Sequence, residues 1–445
     1  MTTGVLKMRL CKQWVAAAAI VICTGSWAGA SHQTAASCSA PDIQAAINLC
    51  LSTGGGTVTL PACDFSNSWT SGQTISADAG STELRIVGQG IANTRIGYAD
   101  SQGNGLMWEF TGIGFKEFAH IHLEGNPSIG ATAVEVAFVV RGARDCRIHH
   151  IQTKNFRGPT AMICSSRNLV IDHCNFGDVL YDTTYQFYVY DTADVPWADE
   201  WPANFGTANY NIFFEDNIIG GAHHPVSLFE RAKVVFRYNT VTIPVSTYGP
   251  AGGYQGNLDS HSPGFGSCDS DGIPDEASYQ HGGQAYEIYN NSFVRTDVSA
   301  PNSDGYGVRL RSGAAIVANN TFENVYYPVA LVLENNNLGG NCTSAMGFPQ
   351  DHVFGPGKAA CTENDACCDK IEHVYVWGNA QTNYGLAFQI EDDAGGLAQD
   401  RDYFLRAPSN AQDGFSWVPY RYPHPLVSNV GAPAPPTQVT VEKAP

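Results

Sequence analysis

The chain is 445 residues long, is 43% hydrophobic and carries a formal net charge of −18. The apolar fraction is normal for a protein with a packed core, so the composition excludes a largely disordered chain. The negative charge excludes nucleic acid as an expected partner, because a phosphate backbone would be repelled. An anionic polysaccharide would be repelled in the same way unless a divalent cation bridged the two.

The first 30 residues have the features of a secretory signal peptide. Basic residues precede an apolar run that ends at Trp27, and Ala28-Gly29-Ala30 offers a small-residue cleavage site. The run is too short to cross a bilayer, so we expect a secreted chain, extracellular or periplasmic, without a transmembrane segment. Cleavage would remove three positive charges and lower the net charge to −21.

Cysteine usage fits an exported protein. Eleven of the 13 cysteines follow the signal segment, and we interpret them as disulfide-forming rather than metal-binding. Because eleven is odd, at least one stays unpaired, and the sequence leaves the pairing open.

The first segment after the signal predicts an amphipathic helix. In DIQAAINLCLSTGGGTVTLP (42–61), the residues Ile43, Ala46, Ile47 and Cys50 form an apolar stripe at helical spacing. Such a stripe would cover the exposed end of a core.

A short pattern recurs through the middle of the chain. It consists of an apolar residue, two others, a small polar residue that we term the anchor, one more residue, and a second apolar residue. The anchors are Cys174, Asn217, Asn239, Asn291 and Asn320, with a weaker copy at Asn379. Two of them are 22 residues apart, and the wider gaps require insertions. This period predicts a solenoid with a ladder of asparagine amides; an antiparallel sandwich of hairpins is the alternative.

The repeat resembles the right-handed parallel β-helix superfamily of pectate and pectin lyases. Residues 42–61 resemble the capping helix and first strand of that fold, and NLVIDHCNF (168–176) resembles a pectate lyase signature. YRYPHPL (420–426) resembles an ending of uncharacterised bacterial secreted β-helix proteins. The resemblance implies an all-β, right-handed parallel β-helix solenoid over residues 31–427 with an N-terminal capping helix. We expect a monomer, and a flexible Pro/Ala-rich tail over 428–445.

Strand alternation places the residue two before each anchor on the outer face of a sheet. This outer column contains Asp172 and Glu215 one coil apart, then Arg237 and Tyr289, and Glu287 lies on the same surface. Two adjacent carboxylates need a compensating cation or a shared proton. Three interpretations stay open: a solvated ladder of charges neutralised by the arginine, a calcium site formed by the two carboxylates, and a general acid–base pair.

An insertion between the anchors at 239 and 291 is rich in Asp, His and Gly. Its DSDGIPDE stretch (269–276) resembles the calcium loops of thrombospondin type 3 repeats. The predicted ligands are Asp269, Asp271 and Asp275, although one oxygen ligand of an EF-hand loop is missing. Calcium is therefore the expected cofactor, and a hydrated acidic loop is the alternative.

Histidines and arginines cluster near this insertion. Counting from the anchors places several of them on adjacent coils, where a carboxylate would orient an imidazole and guanidinium groups would bind an anion. A purely structural role is the alternative for each histidine. The predicted catalytic residues are Asp259, His261, His281, Arg309 and Arg311, and the predicted substrate-binding residues are Arg237, Glu287, Tyr289, His223 and His224.

Three functions remain open, all with a polysaccharide as partner. A lyase would use His261 or His281 to remove the C5 proton of a uronate, with calcium and arginines neutralising the carboxylate. A glycoside hydrolase would use Asp172, Glu215 or Glu287 as acid and base. A non-catalytic glycan-binding or adhesion protein would use surface aromatic side chains. We favour the lyase.

Overall fold

The strands form a right-handed parallel β-helix. The computed structural model describes residues 31–65, 69–70, 73–98, 105–126, 135–179, 185–191, 204–207, 212–229, 232–243, 258–260, 283–296, 306–333, 371–383, 388–392 and 397–428. The pairings between strands in these ranges are parallel, which excludes the antiparallel sandwich. The predicted signal peptide lies outside the described residues, as does all but the first residue of the predicted tail, and both stay predictions.

Each coil contributes strands to three walls, numbered here in the order in which the chain passes through them. Wall 1 is a ten-stranded sheet, whereas walls 2 and 3 belong to one 19-stranded sheet. Wall 1 contains β3 (Ile75–Asp78), β6 (Gly105–Thr111), β8 (Glu135–Arg141), β10 (Ala161–Cys164), β13 (Phe187–Tyr190), β16 (Val226–Phe229), β19 (Leu258–Ser260), β22 (Tyr306–Leu310), β25 (Tyr327–Leu333) and β28 (Gln389–Asp392).

Two long strands, β7 (Phe115–Glu124) and β9 (Arg144–Lys154), run through both wall 2 and wall 3. The other strands of wall 2 are β1 (Ser31–Thr34), β2 (Gly56–Thr59), β4 (Leu84–Val87), β11 (Arg167–Asp172), β14 (Ile212–Glu215), β17 (Lys233–Arg237), β20 (Ala285–Tyr289), β23 (Gly313–Ala318), β26 (Ile371–Trp377) and β29 (Tyr403–Phe404). Those of wall 3 are β5 (Arg95–Gly97), β12 (Asn175–Phe176), β15 (Ile218–Ile219), β18 (Thr240–Ile243), β21 (Ser292–Arg295), β24 (Thr321–Glu323) and β27 (Ala380–Thr382). The helices are α1 (Ala40–Ser52), α2 (Asn410–Asp413) and α3 (Pro425–Ser428).

The anchors form the predicted amide ladder between walls 2 and 3. The side-chain amide of Asn217 donates to the carbonyl oxygen of Asn239 at 2.9 Å, and Asn239 donates to Asn291 at 3.2 Å. The next two steps, through Asn320 to Asn379, are both 2.9 Å. At the other end the backbone N–H of Cys174 donates to Asn217. Each buried anchor amide thus pairs with hydrogen-bonding groups of the adjacent coil, as a stack of identical turns requires.

A single residue makes the bend before each anchor. From His150 to Asn319 these residues have φ between 52° and 58°, the left-handed region that bulky side chains rarely adopt. His173, Asp216 and Tyr238 are among them. The chain therefore turns from wall 2 into wall 3 in one step, and the rings of the bend histidines His120, His150 and His173 contact one another along the corner.

The core lies between the three walls, and α1 packs beside its first strands. The predicted stripe of Ile43, Ala46, Ile47 and Cys50 is buried, and the helix contacts the first three strands, β1, β2 and β3. Ser39 caps the helix by accepting a hydrogen bond from the backbone of the first turn.

The described cysteines are of both kinds. A disulfide joins Cys38 to Cys63, whereas Cys50, Cys146 and Cys174 are buried thiols. These thiols are consistent with the prediction that at least one cysteine stays unpaired. No helix among the described residues is long and apolar enough to cross a membrane.

We predict that replacing Asn291 by Leu destabilises the fold by about 3 kcal/mol or more. The backbone N–H of Asn239 and the carbonyl of Phe236 would both lose a buried partner, and each unsatisfied group costs about 1–3 kcal/mol. Urea unfolding measures the change. The control is Asn175→Ala, at an exposed wall 3 position, where we expect a change within about 0.5 kcal/mol. Equal stability of the two variants would contradict a structural role for the ladder.

Candidate functional site

The outer column of wall 2 is stacked as the sequence predicts. Asp172 pairs in register with Glu215, Glu215 with Arg237, and Arg237 with Tyr289. Asp172, Glu215 and Arg237 are nevertheless fully buried. The side chains of this column point away from the solenoid core, yet they are not exposed to solvent.

Each of the two carboxylates has its own guanidinium partner. Arg147 donates to both oxygens of Asp172, at 2.7 and 2.6 Å, and His173 donates to the same carboxylate at 2.7 Å. Although burial acts to raise it, these hydrogen bonds lower the pKa of Asp172. Glu215 accepts from the guanidinium of Arg237 on one oxygen and from the backbone N–H of His424 on the other, at 3.1 Å.

Residues 415–428, which we call the C-terminal arm, cover this face of wall 2. The guanidinium of Arg237 donates to Tyr289 at 2.8 Å and to the backbone carbonyls of Tyr420 and Arg421. Apolar residues on the same face, among them Phe213, pack against aromatic side chains of the arm. The charged column is therefore an intramolecular docking surface.

Glu287, on the same face of wall 2, also contacts the C-terminal arm. Its carboxylate accepts a hydrogen bond from the indole N–H of Trp417 at 2.7 Å and one from the backbone N–H of Gly206 at 2.9 Å. Burial raises the pKa of Glu287 to about 7, despite these two donors.

These contacts correct part of the sequence interpretation. The carboxylates of Asp172 and Glu215 are hydrogen-bonded to arginines and to groups of the chain itself, so the geometry does not support the predicted calcium site there. Both carboxylates are also buried, which contradicts the interpretation of a solvated ladder of charges. Arg237, Glu287 and Tyr289 contact one another or the chain's own C-terminal residues, so the predicted substrate-binding role is replaced by a structural one. Arg237 does neutralise its neighbouring carboxylate, as the first interpretation expected.

Wall 1 brings a second group of predicted residues together. Asp259, on β19, is fully buried and accepts two hydrogen bonds from the guanidinium of Arg311, one of them at 2.9 Å. Arg309 pairs in register with Asp259 on the next strand. His224 lies 3.5 Å from Asp259, measured from Nε2 to a carboxylate oxygen. We call Asp259, Arg309, Arg311, His223 and His224 the Asp259 cluster.

Aromatic side chains flank this cluster on the preceding coils. Tyr185 stacks on the rings of His223 and His224, with centroids 5.6 and 4.6 Å away. Tyr188 lies 4.8 Å from Tyr185 and continues the patch to further rings of β13 and β16. The outer face of wall 1 therefore combines guanidinium groups, imidazoles and aromatic surface.

The remaining predicted site residues lie outside the described residues. They are His261, His281, Asp269, Asp271 and Asp275. Their catalytic and calcium-binding roles stay predictions.

Sequence reasoning missed several residues that the structure makes prominent. The pattern does not identify Arg147 as the partner of Asp172. The arm was not predicted to pack on wall 2, although its spaced aromatic residues, Trp417, Tyr420 and Tyr422, are a signal for a packed segment. The histidines at the bends, His120 and His150, were also missed, although each directly precedes an Ile that begins the wall 3 part of its strand.

Comparisons with known proteins give distant structural matches. No protein-family model and no curated protein matches the chain. A PL6 family polysaccharide lyase from Pseudopedobacter saltans is 12% identical, with 90% of each chain covered and a TM-score of 0.40. A tailspike protein of E. coli bacteriophage HK620, solved with a pentasaccharide, is 14% identical with a TM-score of 0.42, and the match covers 82% of this chain and 55% of the tailspike. The A-module of a mannuronan C-5 epimerase from Azotobacter vinelandii is 12% identical, with coverage of 80% and 94% and a TM-score of 0.32.

We predict that Arg237→Leu both destabilises the protein and releases the arm. Glu215 would be left as a buried charge without its cation, which costs about 3–5 kcal/mol. Urea unfolding measures the loss, and hydrogen exchange at the backbone N–H of His424 reports the release. The control is Arg401→Ala, whose ion pair with Asp402 is half exposed on the arginine side. Unchanged exchange in the Leu variant would contradict the docking role of Arg237.

The raised pKa of Glu287 predicts a pH dependence of stability. The folded chain holds this proton up to pH about 7, whereas an ordinary Glu loses it near 4.5. The contribution of Glu287 to the free energy of unfolding is therefore fully present below pH 4.5. It is lost as the pH rises through 7, by up to about 3 kcal/mol. Unfolding free energies of the wild type and of Glu287→Gln across this interval measure it. The difference between the two proteins should change with pH; a constant difference would show that Glu287 does not titrate there.

Proposed function

We propose that the protein is a carbohydrate-active enzyme that binds an acidic polysaccharide at the outer face of wall 1 and cleaves it by β-elimination. The observation that supports this proposal is the Asp259 cluster beside the aromatic patch. Arg311 and His224 lie next to the Asp259 carboxylate, Arg309 is in register with it on the next strand, and His223 packs against His224. Because the chain as a whole is negatively charged, guanidinium groups on one face are the groups that would bind an anionic chain.

The aromatic patch supplies a surface on which sugar rings stack. Tyr188 is half-buried, so one part of its ring contacts the protein and another reaches solvent. Tyr306 lies under the guanidinium of Arg309, 5.4 Å from the ring centroid, and holds that cation at the surface of the next coils. Stacking and carboxylate binding are therefore available on neighbouring strands.

The chemistry needs a base and a positive charge beside the uronate carboxylate. The base removes the proton at C5, the electron pair forms the C4–C5 double bond, and the bond between C4 and the glycosidic oxygen breaks. The leaving oxygen takes up a proton. Arg309 is assigned to the carboxylate, where negative charge accumulates as the proton leaves.

The described candidates for the base are His223 and His224. Asp259 orients His224, which is the role a carboxylate has beside a catalytic imidazole. His224 is buried, but it contacts His223 with ring centroids 4.2 Å apart, and His223 is half-buried. His261, one residue after Ser260, is the alternative base from the sequence, and calcium held by Asp269, Asp271 and Asp275 would add positive charge.

A polysaccharide panel tests this function. The secreted protein is incubated with uronate-containing and neutral polysaccharides, with calcium or with chelator, and unsaturated sugar ends are recorded beside reducing ends. We expect both signals to rise with a uronate-containing substrate. Reducing ends alone would indicate a hydrolase, and retained glycan without either signal would indicate a binding protein; both results contradict the proposal.

Variants then locate the activity. Arg309→Ala should lower kcat/KM by about 100-fold or more, the usual effect of removing one group that stabilises developing charge. Arg309→Lys should recover part of it, because the charge returns without the planar fork. His223→Ala and His261→Ala distinguish the candidate bases. Arg401→Ala, two residues before the wall 2 strand β29, is the control. Equal losses in Arg309→Ala and Arg401→Ala would exclude this face.

A further inference from the structure

Three histidines meet at the bend between walls 2 and 3, on a face separate from the Asp259 cluster. His120 and His150 are bend residues on adjacent coils, with φ of 63° and 52°, and His149 is the residue before the second bend. The two coils are in register, Ala119 pairing with His149, so the bends lie side by side. One ring nitrogen from each of the three histidines lies within 4.8 Å of the others.

The imidazole of His149 is oriented by a carboxylate. Its Nε2 lies 2.8 Å from Glu117, which also accepts a hydrogen bond from Arg85 at 3.0 Å. Glu117 is an acceptor, because Arg85 donates to its second oxygen, so it holds the tautomer of His149 that carries its hydrogen on Nε2. The lone pair on Nδ1 of His149 then faces Nδ1 of His150, 2.9 Å away.

We propose that His120, His149 and His150 bind one Zn²⁺ ion. An all-imidazole donor set suits this borderline-soft cation. Nitrogen ligands that lie about 2.0–2.1 Å from a tetrahedral zinc ion are about 3.3–3.4 Å from one another. The Nδ1 atoms of His149 and His150, 2.9 Å apart, would therefore have to separate slightly, and any wider pair of nitrogens would have to approach. His120 and His150 are half-buried, so their rings have room for this adjustment.

The surroundings support a metal site of this kind. A carboxylate that holds the other nitrogen of a ligating histidine is the usual outer-shell arrangement, since it fixes the ring and raises its basicity. Three protein ligands leave a fourth position for water or for an exogenous ligand.

The next histidine in the column is not part of the set. The ring of His173 stacks on His150 at 5.5 Å with an interplanar angle of 6°. Its Nδ1 is engaged by Asp172. His173 therefore closes one side of the site without offering that nitrogen.

The test uses the full chain without a polyhistidine tag. After treatment with chelator it is titrated with zinc sulfate by calorimetry, and with Co²⁺ while the visible absorption of the nitrogen-ligated ion is recorded. The variants are His120→Asn and His150→Asn, because asparagine tolerates the left-handed backbone. His373→Asn is the matched control, since His373 is also half-buried with φ of 54°.

The double variant His120→Asn/His150→Asn should bind one equivalent of zinc fewer than the wild type, with its circular dichroism unchanged. His373→Asn should keep the wild-type stoichiometry and the cobalt spectrum. Glu117→Gln should weaken the same equivalent by about 10–100-fold. The proposal is overturned if the folded wild type binds no zinc, or if the double variant binds as much as the wild type.

Discussion

The hydrogen bonds between anchor amides are the interaction on which the architecture depends. The side chains of the four anchors from Asn217 to Asn320 bond to the coils on both sides, so the coils keep their phase even where 59 residues separate two anchors. A phase error of one residue would exchange the inner and outer faces of a strand. Residues remote in sequence, such as Asp259 and Arg311, meet for this reason.

The sequence was informative where a local rule decides the outcome. Alternation and the anchor phase place Asp172, Glu215 and Arg237 in one outer column, and the structure has them there. The same rules do not say what packs on that face, because the docking of the arm on wall 2 depends on contacts more than 180 residues apart, such as that of Arg237 with Tyr420. The calcium site and the acid–base pair that the pattern leaves open require unmatched carboxylates, and the solvated ladder requires exposed ones, whereas the carboxylates on this face are matched internally and buried.

The two faces illustrate different uses of buried charge. On wall 2 the guanidinium of Arg237 has protein acceptors for its hydrogens, and the carboxylates beside it are satisfied by arginines and backbone groups. On wall 1 the Asp259 pair is equally buried but borders half-buried tyrosine and histidine side chains. The histidine group at the bends escaped prediction because one histidine on one coil and an adjacent pair on the next have no fixed spacing in sequence. Only the stacking of the coils brings the rings together.

The one-residue bend also limits where the molecule can change in length. At this corner the bend is a single left-handed residue, and the anchor amides of neighbouring coils bond to one another beside it. Such a corner has no room for an insertion. Extra chain must therefore enter before or after wall 1, as it does between the end of β25 at Leu333 and the start of β26 at Ile371. Over evolutionary time such a solenoid can vary its loops beside one wall while the opposite corner keeps every coil in place.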